Sequence, residues 1–183
     1  MQSVRATITT LVLLLGLSLG VWWALREHDH RYDREILSVA RQYGLAPGLV
    51  KALVWRESRF RAGIRGSHEE IGLMQLQPTT AQEWADARRA TGFTAEHLLD
   101  PRTNLQAGCF YLNKVVRRYP RADNPWPYAL ADYNAGRGNV LRWIKGPAET
   151  NSAAFVAAIA FPTTREYVRT ILERAPRYEA EFR

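Results

Sequence analysis

Apolar residues recur at helical spacing along most of this chain. Over residues 33–43 they return every three or four positions, and Gly44 follows as a natural helix end. Pro47 opens a second predicted helix, which runs to about Ser58, because proline is well tolerated in the first helical turn. Further helices are predicted to begin at Pro78 and to span residues 104–119, 128–133, 140–144, 153–159 and 165–172.

Strand-like alternation of apolar and polar residues is nearly absent from the sequence. Only residues 71–76 have the pattern of short β pieces. Successive helices without intervening strands are typical of a domain built by packing helix on helix. The sequence therefore predicts an all-α, predominantly helical domain whose long loops carry the function.

The N-terminal segment has a different pattern. No charged residue occurs from position 6 to position 25, which is close to the ~20 apolar residues that a helix needs to cross the hydrocarbon core of a membrane. Trp22 and Trp23 lie at its end, where indoles suit the membrane interface, and Arg5 favours an orientation with the domain outside the cytoplasm. We predict an N-terminal membrane anchor over residues 1–27 and one domain over 28–183. A cleaved signal peptide is the alternative, although no clear small-x-small cleavage site follows.

Composition and charge narrow the function classes. Of 183 residues, 46% are hydrophobic and six are Trp, which argues against a disordered chain. The net charge of +7 would suit a polyanion, but the arginines are scattered along the sequence, so no nucleic-acid partner is expected. The single Cys109 excludes an internal disulfide and is predicted to be a buried, inert thiol because it lies in an apolar run.

The sequence indicates no metal site and no cofactor. His28 and His30 precede the predicted fold, while His68 and His97 lack a partner at ligand spacing. We therefore expect neither a zinc ion nor an organic cofactor.

Three short polar segments stand out from the helical pattern. Glu57 and Ser58 end the second predicted helix, residues 72–75 read Gly-Leu-Met-Gln, and residues 133–136 read Tyr-Asn-Ala-Gly. Each alone is ordinary, since a helix-end Glu is usually a solvated charge and Asn-Ala-Gly is a common helix stop. Their order and spacing resemble the transglycosylase SLT family, the lytic transglycosylases related to goose-type lysozyme. The resemblance covers roughly residues 33–175 and also includes Phe60, Pro78, Asn104, Gly108, Tyr111, Trp143, Thr164, Arg165 and Tyr167.

The resemblance implies a lysozyme-like fold and non-hydrolytic cleavage of the β-1,4 bond between N-acetylmuramic acid and N-acetylglucosamine in peptidoglycan. It makes Glu57 the single catalytic acid and base, and the muramyl product keeps a 1,6-anhydro end because its own C6 hydroxyl closes onto C1. The expected partners are peptidoglycan strands and, through the anchor, the bacterial inner membrane, with the domain in the periplasm. A partner from the cell-wall machinery is left open. The residues expected to bind the glycan are Gln75, Tyr133, Asn134, Ser67 and Met74.

The chemistry of glycoside cleavage agrees with this role for Glu57. A carboxylic acid that protonates a leaving oxygen near neutral pH needs a raised pKa, and Trp55, Phe60 and Met74 are candidate apolar neighbours. Most glycosidases use a second carboxylate, and none stands out in this sequence. The other acids lie in polar stretches that are expected at the surface: Glu69, Glu70, Asp86, Asp100 and Asp123.

Several positions depart from the pattern of the family. Thr163 stands where a Glu is common, Gly66 where Ser is common, and Gln77 where Met is frequent. Glu69 and Glu70 replace small residues. We expect these changes to alter the binding of the substrate and not the reaction that is catalysed, because the proposed acid is retained.

Two other functions stay open at this point. A hydrolytic muramidase would need a carboxylate to hold water, and Asp132 and Glu70 are the candidates. A non-catalytic, membrane-tethered glycan-binding scaffold would follow if Thr163 marked decay of the groove. The joint presence of Glu57, Gln75 and Tyr133 speaks against such decay.

Overall fold

Helices make up the regular structure of the protein, which a computed structural model describes for residue 16 and for residues 29–183. Residues Asp33–Arg183 form one compact unit. Its helices are α1 (Asp33–Gln42), α2 (Pro47–Ser58), α3 (Pro78–Ala87), α4 (Pro101–Val116), α5 (Trp126–Ala135), α6 (Arg137–Trp143), α7 (Ser152–Ala158) and α8 (Pro162–Ala180), with 3₁₀ turns at Ala95–Leu99 and Gly146–Glu149. The prediction of a predominantly helical fold is confirmed.

Proline marks the start of four of these helices. Pro47 and Pro78 occupy the first turns of α2 and α3, as the sequence predicted. Helices α4 and α8 begin at Pro101 and Pro162, three residues before the predicted starts. The side chain of Asp100 accepts a hydrogen bond from the backbone N–H of the third helical residue, so a capped first turn precedes the apolar stripe. The predicted starts were late because the first turns of these two helices are mostly polar.

Helix α8 continues well past its predicted end at residue 172 and contains Pro176. Proline removes a helical hydrogen bond, so the last turn needs support from elsewhere. The Glu179 carboxylate accepts a hydrogen bond of 2.7 Å from the backbone N–H of Gly48 at the start of α2. A Cβ on Gly48 would lie 2.6 Å from the backbone oxygen of Ala175, so the missing side chain lets the two helices touch. The contact between the start of α2 and the last turns of α8 therefore allows α8 to continue past its predicted end.

The core forms around α2, which packs against α1 and along α8, while α5 packs against α4, α6 and α8. Leu53 and Val54 of α2 and Val168 of α8 are fully buried. Because α2 is surrounded, it is apolar on most of its faces, as buried helices are. Cys109 of α4 is also buried, as predicted, and burial raises the pKa of its thiol.

The long connection between α2 and α3 lies outside the helical pattern. The short β pieces predicted for residues 71–76 are present as isolated antiparallel bridges, which join Ile71 to Arg65 and to Leu76. Their hydrogen bonds, from Ile71 N to Leu76 O (2.9 Å) and from Leu76 N to Ile71 O (3.1 Å), close a tight loop. This loop forms one side of the cavity described below.

No helix within the described part of the chain combines the length and apolarity needed to cross a membrane. The predicted anchor over residues 1–27 lies outside the described residues, apart from Gly16.

Candidate active site

An open cavity of about 540 Å³ lies beside the end of α2, between the α2–α3 connection and the C-terminal end of α5. A volume of this size is in the range of small-ligand sites. Its wall brings together groups from distant parts of the sequence, among them Glu57, Gln75, Tyr111, Tyr133 and Asn134. Carboxyl, amide and phenol groups beside aromatic rings suit the hydroxyls and the apolar faces of sugars.

The Glu57 carboxyl in this cavity is a much weaker acid than a free glutamate. Burial is the main cause and raises the pKa of its carboxyl to about 7, from an ordinary 4.5. The Tyr167 hydroxyl, which donates a 2.5 Å hydrogen bond to Oε1, lowers that pKa, as does the charge of Arg56, and the charge of Glu70 raises it. A carboxyl with a pKa near neutrality can both give and take a proton at working pH.

A sharp turn after α2 leaves Glu57 at the end of the helix. Arg59 and Phe60 have φ angles of 51° and 59°, a left-handed conformation that is uncommon for residues with a Cβ. The backbone N–H of Arg59 still bonds to the oxygen of Trp55 (3.1 Å), and the Phe60 ring is 1% exposed, which anchors the turn in the core. Backbone strain held by packing is common at functional sites.

Asn104 fixes the loop on the opposite wall of the cavity. Its fully buried side chain accepts a hydrogen bond from Met74 N (2.8 Å) and donates to the oxygens of Ile71 (2.8 Å) and Leu98 (3.0 Å). Gly72 has a φ of +80°, and a Cβ there would lie 2.2 Å from the Asn104 amide nitrogen. The shape of residues 71–76 therefore depends on one buried amide and on a glycine.

We expect Asn104→Asp to destabilise the fold by about 2 kcal/mol or more, because a buried carboxylate cannot donate to the oxygens of Ile71 and Leu98 and its negative charge repels both. Urea denaturation followed by circular dichroism measures the change. Asn124→Asp is the matched control, since exposed Asn124 uses its side-chain oxygen as an acceptor, for Trp126 N. Equal losses in the two variants would contradict this role for Asn104.

The polar groups on the wall are held by short hydrogen bonds. The Tyr133 hydroxyl donates to Met74 O (2.8 Å), and the Gln75 amide donates to Gly72 O (2.8 Å). The Asn134 side-chain oxygen accepts from the hydroxyl of Thr164 (2.8 Å). These groups are preorganised before any ligand enters, which favours a defined binding geometry.

Two residues expected to bind the glycan lie in different surroundings. Ser67 is exposed at the edge of the cavity, with its hydroxyl 3.1 Å from His68 Nδ1. Met74 is fully buried and packs on Gly108, where a Cβ would lie 2.2 Å from the Met74 sulfur. Met74 is not among the residues that line the cavity: its side chain belongs to the core, and its backbone oxygen accepts a hydrogen bond from the Tyr133 hydroxyl. That Met74 binds the glycan stays a prediction.

Two acids of the cavity wall, Asp132 and Glu70, differ in their partners and in their exposure. Asp132 is 1% exposed, forms an ion pair with Arg118 (2.9 Å) and accepts a 2.5 Å hydrogen bond from the Tyr119 hydroxyl. These contacts tie the segment that follows α4 to α5. Glu70, which the sequence placed at the surface, lines the cavity with a side chain that is only 26% exposed. Glu70 therefore faces the same cavity as Glu57, although its polar stretch of sequence suggested a position at the surface.

Comparison with known proteins gives the family. The profile of the Transglycosylase SLT domain matches residues 35–156. The chain belongs to the transglycosylase SLT family. The soluble lytic murein transglycosylase of Escherichia coli (strain K12) is 34% identical over 134 residues, which cover 72% of this chain and 20% of that protein. The membrane-bound lytic murein transglycosylase C of Shigella sonnei (strain Ss046) is 32% identical over 126 residues, covering 64% of this chain and 34% of that protein.

Solved structures agree with this family. An inactive Glu-to-Gln mutant of the lytic transglycosylase Slt from Pseudomonas aeruginosa superposes with a TM-score of 0.76 at 27% identity, covering 84% of this chain and 24% of that chain. The SLT chain thus spans between a fifth and about a third of the length of these relatives. Their fold confirms the lysozyme-like domain that the resemblance implied.

The residues that depart from the SLT pattern do not share one location. Gly66, Glu70 and Gln77 lie on the cavity wall, whereas Thr163 is exposed and is not among the wall residues.

Sequence reasoning assigned no role to two neighbours of this site. The Tyr111 ring lies 5.5 Å from the Tyr133 ring, and the Tyr167 hydroxyl donates a hydrogen bond to Glu57. Tyr111 and Tyr167 belong to the matched pattern, so their positions were a usable signal. Trp55, expected as an apolar neighbour of Glu57, instead has two guanidinium groups 3.3 Å from its ring, those of Arg59 and Arg174.

Proposed function

We propose that this SLT chain is a peptidoglycan lytic transglycosylase with Glu57 as its acid and base. The observation that carries the proposal is a carboxyl with a pKa of about 7 on the wall of an open, polar and aromatic cavity. The relatives named as lytic murein transglycosylases support the choice of substrate. The inactive Glu-to-Gln mutant of the Pseudomonas aeruginosa protein supports an essential Glu in this fold.

In the proposed reaction, protonated Glu57 gives its proton to the glycosidic oxygen as the bond from C1 of the muramyl residue breaks. The N-acetyl group of that residue assists the departure. The Glu57 carboxylate then takes the proton of the C6 hydroxyl while the C6 oxygen bonds to C1, which leaves the 1,6-anhydro end. No water is consumed and Glu57 finishes protonated, so one carboxyl with a pKa near 7 serves both steps.

We propose that Gln75, Tyr133, Asn134 and Ser67 contact the glycan, because all four lie on the cavity wall. Tyr111 joins them as part of the aromatic surface next to Tyr133. Aromatic faces pack on sugar rings, and the amides and hydroxyls provide donors and acceptors for sugar hydroxyl groups.

Tyr167→Phe is expected to move the alkaline limb of the pH–rate profile to higher pH. The phenol hydroxyl stabilises the charged form of Glu57 and lowers its pKa, so its removal lets the acid stay protonated at higher pH. The measurement is kcat/KM for peptidoglycan fragments between pH 5 and pH 9, whose alkaline limb reports the acid of the free enzyme. A limb that moves to lower pH would contradict the contact between these two side chains.

Mass spectrometry of muropeptides released from purified peptidoglycan tests the function itself. Muramyl ends that are lighter by one water, and absent with the Glu57→Gln variant, are the expected products. Reducing muramyl ends would identify a hydrolase. The absence of products from the wild-type chain would favour a glycan-binding scaffold.

A hydrolytic muramidase is the second candidate because Glu70 lies on the same wall as Glu57. A second carboxylate at a glycosidase site can activate water. Asp132 is a poor candidate for that role, since Arg118 and Tyr119 already occupy its oxygens. The mass of the muramyl end decides between the two reactions.

For location, we propose a single-pass inner-membrane protein with an anchor at residues 1–27 and a periplasmic catalytic domain at 28–183. The uncharged run of residues 6–25, with Trp22 and Trp23 at its end, supports an anchor. The Shigella sonnei relative named as membrane-bound supports it as well. Retention in the membrane pellet after alkaline carbonate extraction is expected, and release into the supernatant would contradict the anchor.

A further inference from the structure

Glu70 is held toward the cavity by its own loop. The backbone N–H of Gly66 bonds to the backbone oxygen of Glu70 (2.7 Å), which closes a short turn. Within that turn, the Glu70 carboxylate accepts a hydrogen bond of 2.9 Å from the backbone N–H of His68 through Oε2. The side chain is therefore oriented by its loop and reaches the wall that Glu57 shares.

Gly66 makes room for this carboxylate. A Cβ at position 66 would lie 2.2 Å from Glu70 Oε2 and 2.9 Å from Gln75 Oε1. Gly66 does not have the positive φ that would require glycine, so its backbone conformation is open to other residues. Glycine therefore matters at position 66 because it lacks a side chain, and not because its backbone has more conformational freedom. The carboxylate of Glu70 fills the space that a side chain at position 66 would occupy.

Among the described residues, the charged groups that line the cavity wall are acidic, although the chain as a whole carries +7. They are Glu57, Glu70 and Asp132, and no Lys or Arg of the described ranges lines the wall. Arg118 compensates Asp132 at 2.9 Å. For Glu70, the nearest basic group within ion-pair distance in the described part of the chain is the ring of His68, with Nδ1 3.6 Å away. The partner of Glu70 is thus a histidine, which carries a positive charge only when it is protonated.

We infer that Glu70 is a positioning residue of this active site. Gly66 leaves room for its side chain, and the negative charge of Glu70 helps Glu57 to keep its proton until the substrate takes it. The inference rests on the proposed function. The other groups that face Glu57 are Tyr167 from α8, Arg56 on its own helix and Tyr133 from α5. Tyr167 and Arg56 favour the charged form of Glu57, and Glu70 opposes them.

Electrostatics gives the direction in which the charge of Glu70 shifts the pKa of Glu57. A negative charge nearby makes ionisation of Glu57 less favourable, so its removal lowers the pKa of Glu57. Glu70→Gln keeps the size of the side chain and an oxygen that accepts from His68 N. We expect the pKa of Glu57 and the alkaline limb of activity to fall by about half a pH unit, the scale of one partly screened charge across a small cavity.

The test is a titration of the Glu57 side-chain carboxyl by ¹³C NMR in the full chain, which needs no catalysis. Glu69→Gln is the matched control, because it removes the same charge from the neighbouring, exposed residue outside the cavity wall. Gly66→Ala should push the Glu70 carboxylate aside and lower the pKa of Glu57 in the same direction. In the Glu70→Gln background, Gly66→Ala should add little, because the charge is already gone.

Three results would overturn the inference: an unchanged pKa of Glu57 in Glu70→Gln, an equal shift in Glu69→Gln, or no shift in Gly66→Ala. A shift confined to the Glu70 and Gly66 variants supports it. If the wild-type chain releases no muropeptides while the NMR shifts are as expected, the proposed function fails and the coupling of the two acids stands. If cleavage occurs without the shifts, only the coupling fails.

Discussion

Glu57→Gln is expected to reduce the release of anhydro-muropeptides by about a thousandfold or more, because one carboxyl acts as the acid of the first step and the base of the second. The amide has nearly the same shape and can still accept the hydrogen bond of Tyr167, so the fold should be kept. Product quantification by mass spectrometry measures the loss, with circular dichroism as the check of folding. Residual activity above about one per cent would contradict the assignment, since a positioned acid contributes at least a hundredfold.

The same variant has an expected effect on stability that depends on pH. The pKa of Glu57 is about 7 in the folded state against 4.5 as its ordinary value, so the folded chain binds the proton more tightly. The stability due to this proton is complete below pH 4.5 and is lost as the pH rises through 7. Glutamine cannot ionise, so at pH 8 the variant should be more stable than the wild type by up to about 3 kcal/mol. At pH 4 the two should be similar.

Urea denaturation at pH 4 and at pH 8 separates this effect from an ordinary mutational change. A stability difference that is the same at both pH values would show that Glu57 ionises in the folded chain as it does in the unfolded one. An active-site group that destabilises the fold at working pH is a common trade-off between stability and activity.

Lys51→Ala is expected to destabilise the protein by about 3–5 kcal/mol, the usual cost of removing one partner from a buried ion pair. Lys51 is fully buried in α2, and its ammonium lies 2.7 Å from Asp33 Oδ1 and 2.7 Å from Glu181 Oε2. It also lies 5.0 Å from the ring centroid of Tyr178. The substitution would remove the cation between two carboxylates that are only 25% and 27% exposed, and it would loosen the end of α8.

Thermal unfolding is the simplest measurement, and a loss of this size should lower Tm by about 6–20 °C. Lys114→Ala is the matched control, because Lys114 pairs with Glu83 at the surface, where the two side chains are 46% and 51% exposed. Exposed pairs contribute less than about 1 kcal/mol. Similar Tm values for the two variants would contradict the role given to Lys51.

The local sequence pattern was sufficient to predict most of the helices. Apolar spacing and proline placed α2 and the start of α3, because these signals act within a few residues. The length of α8 could not be predicted, since Pro176 argues for an earlier end. Its last turn exists because Gly48 and Glu179 meet across the fold, 131 residues apart.

The sequence by itself determined the family and was enough to select Glu57 as the candidate acid, since the order of short motifs pointed to Glu57 and to the wall residues Gln75 and Tyr133. Only the tertiary structure decided the electrostatics of that acid. Its partner Tyr167 lies 110 residues away, and Glu70 reaches the cavity because Gly66 has no side chain. A motif lists residue types, whereas the pKa of a carboxyl depends on which charges and how much water surround it, and folding alone brings those together.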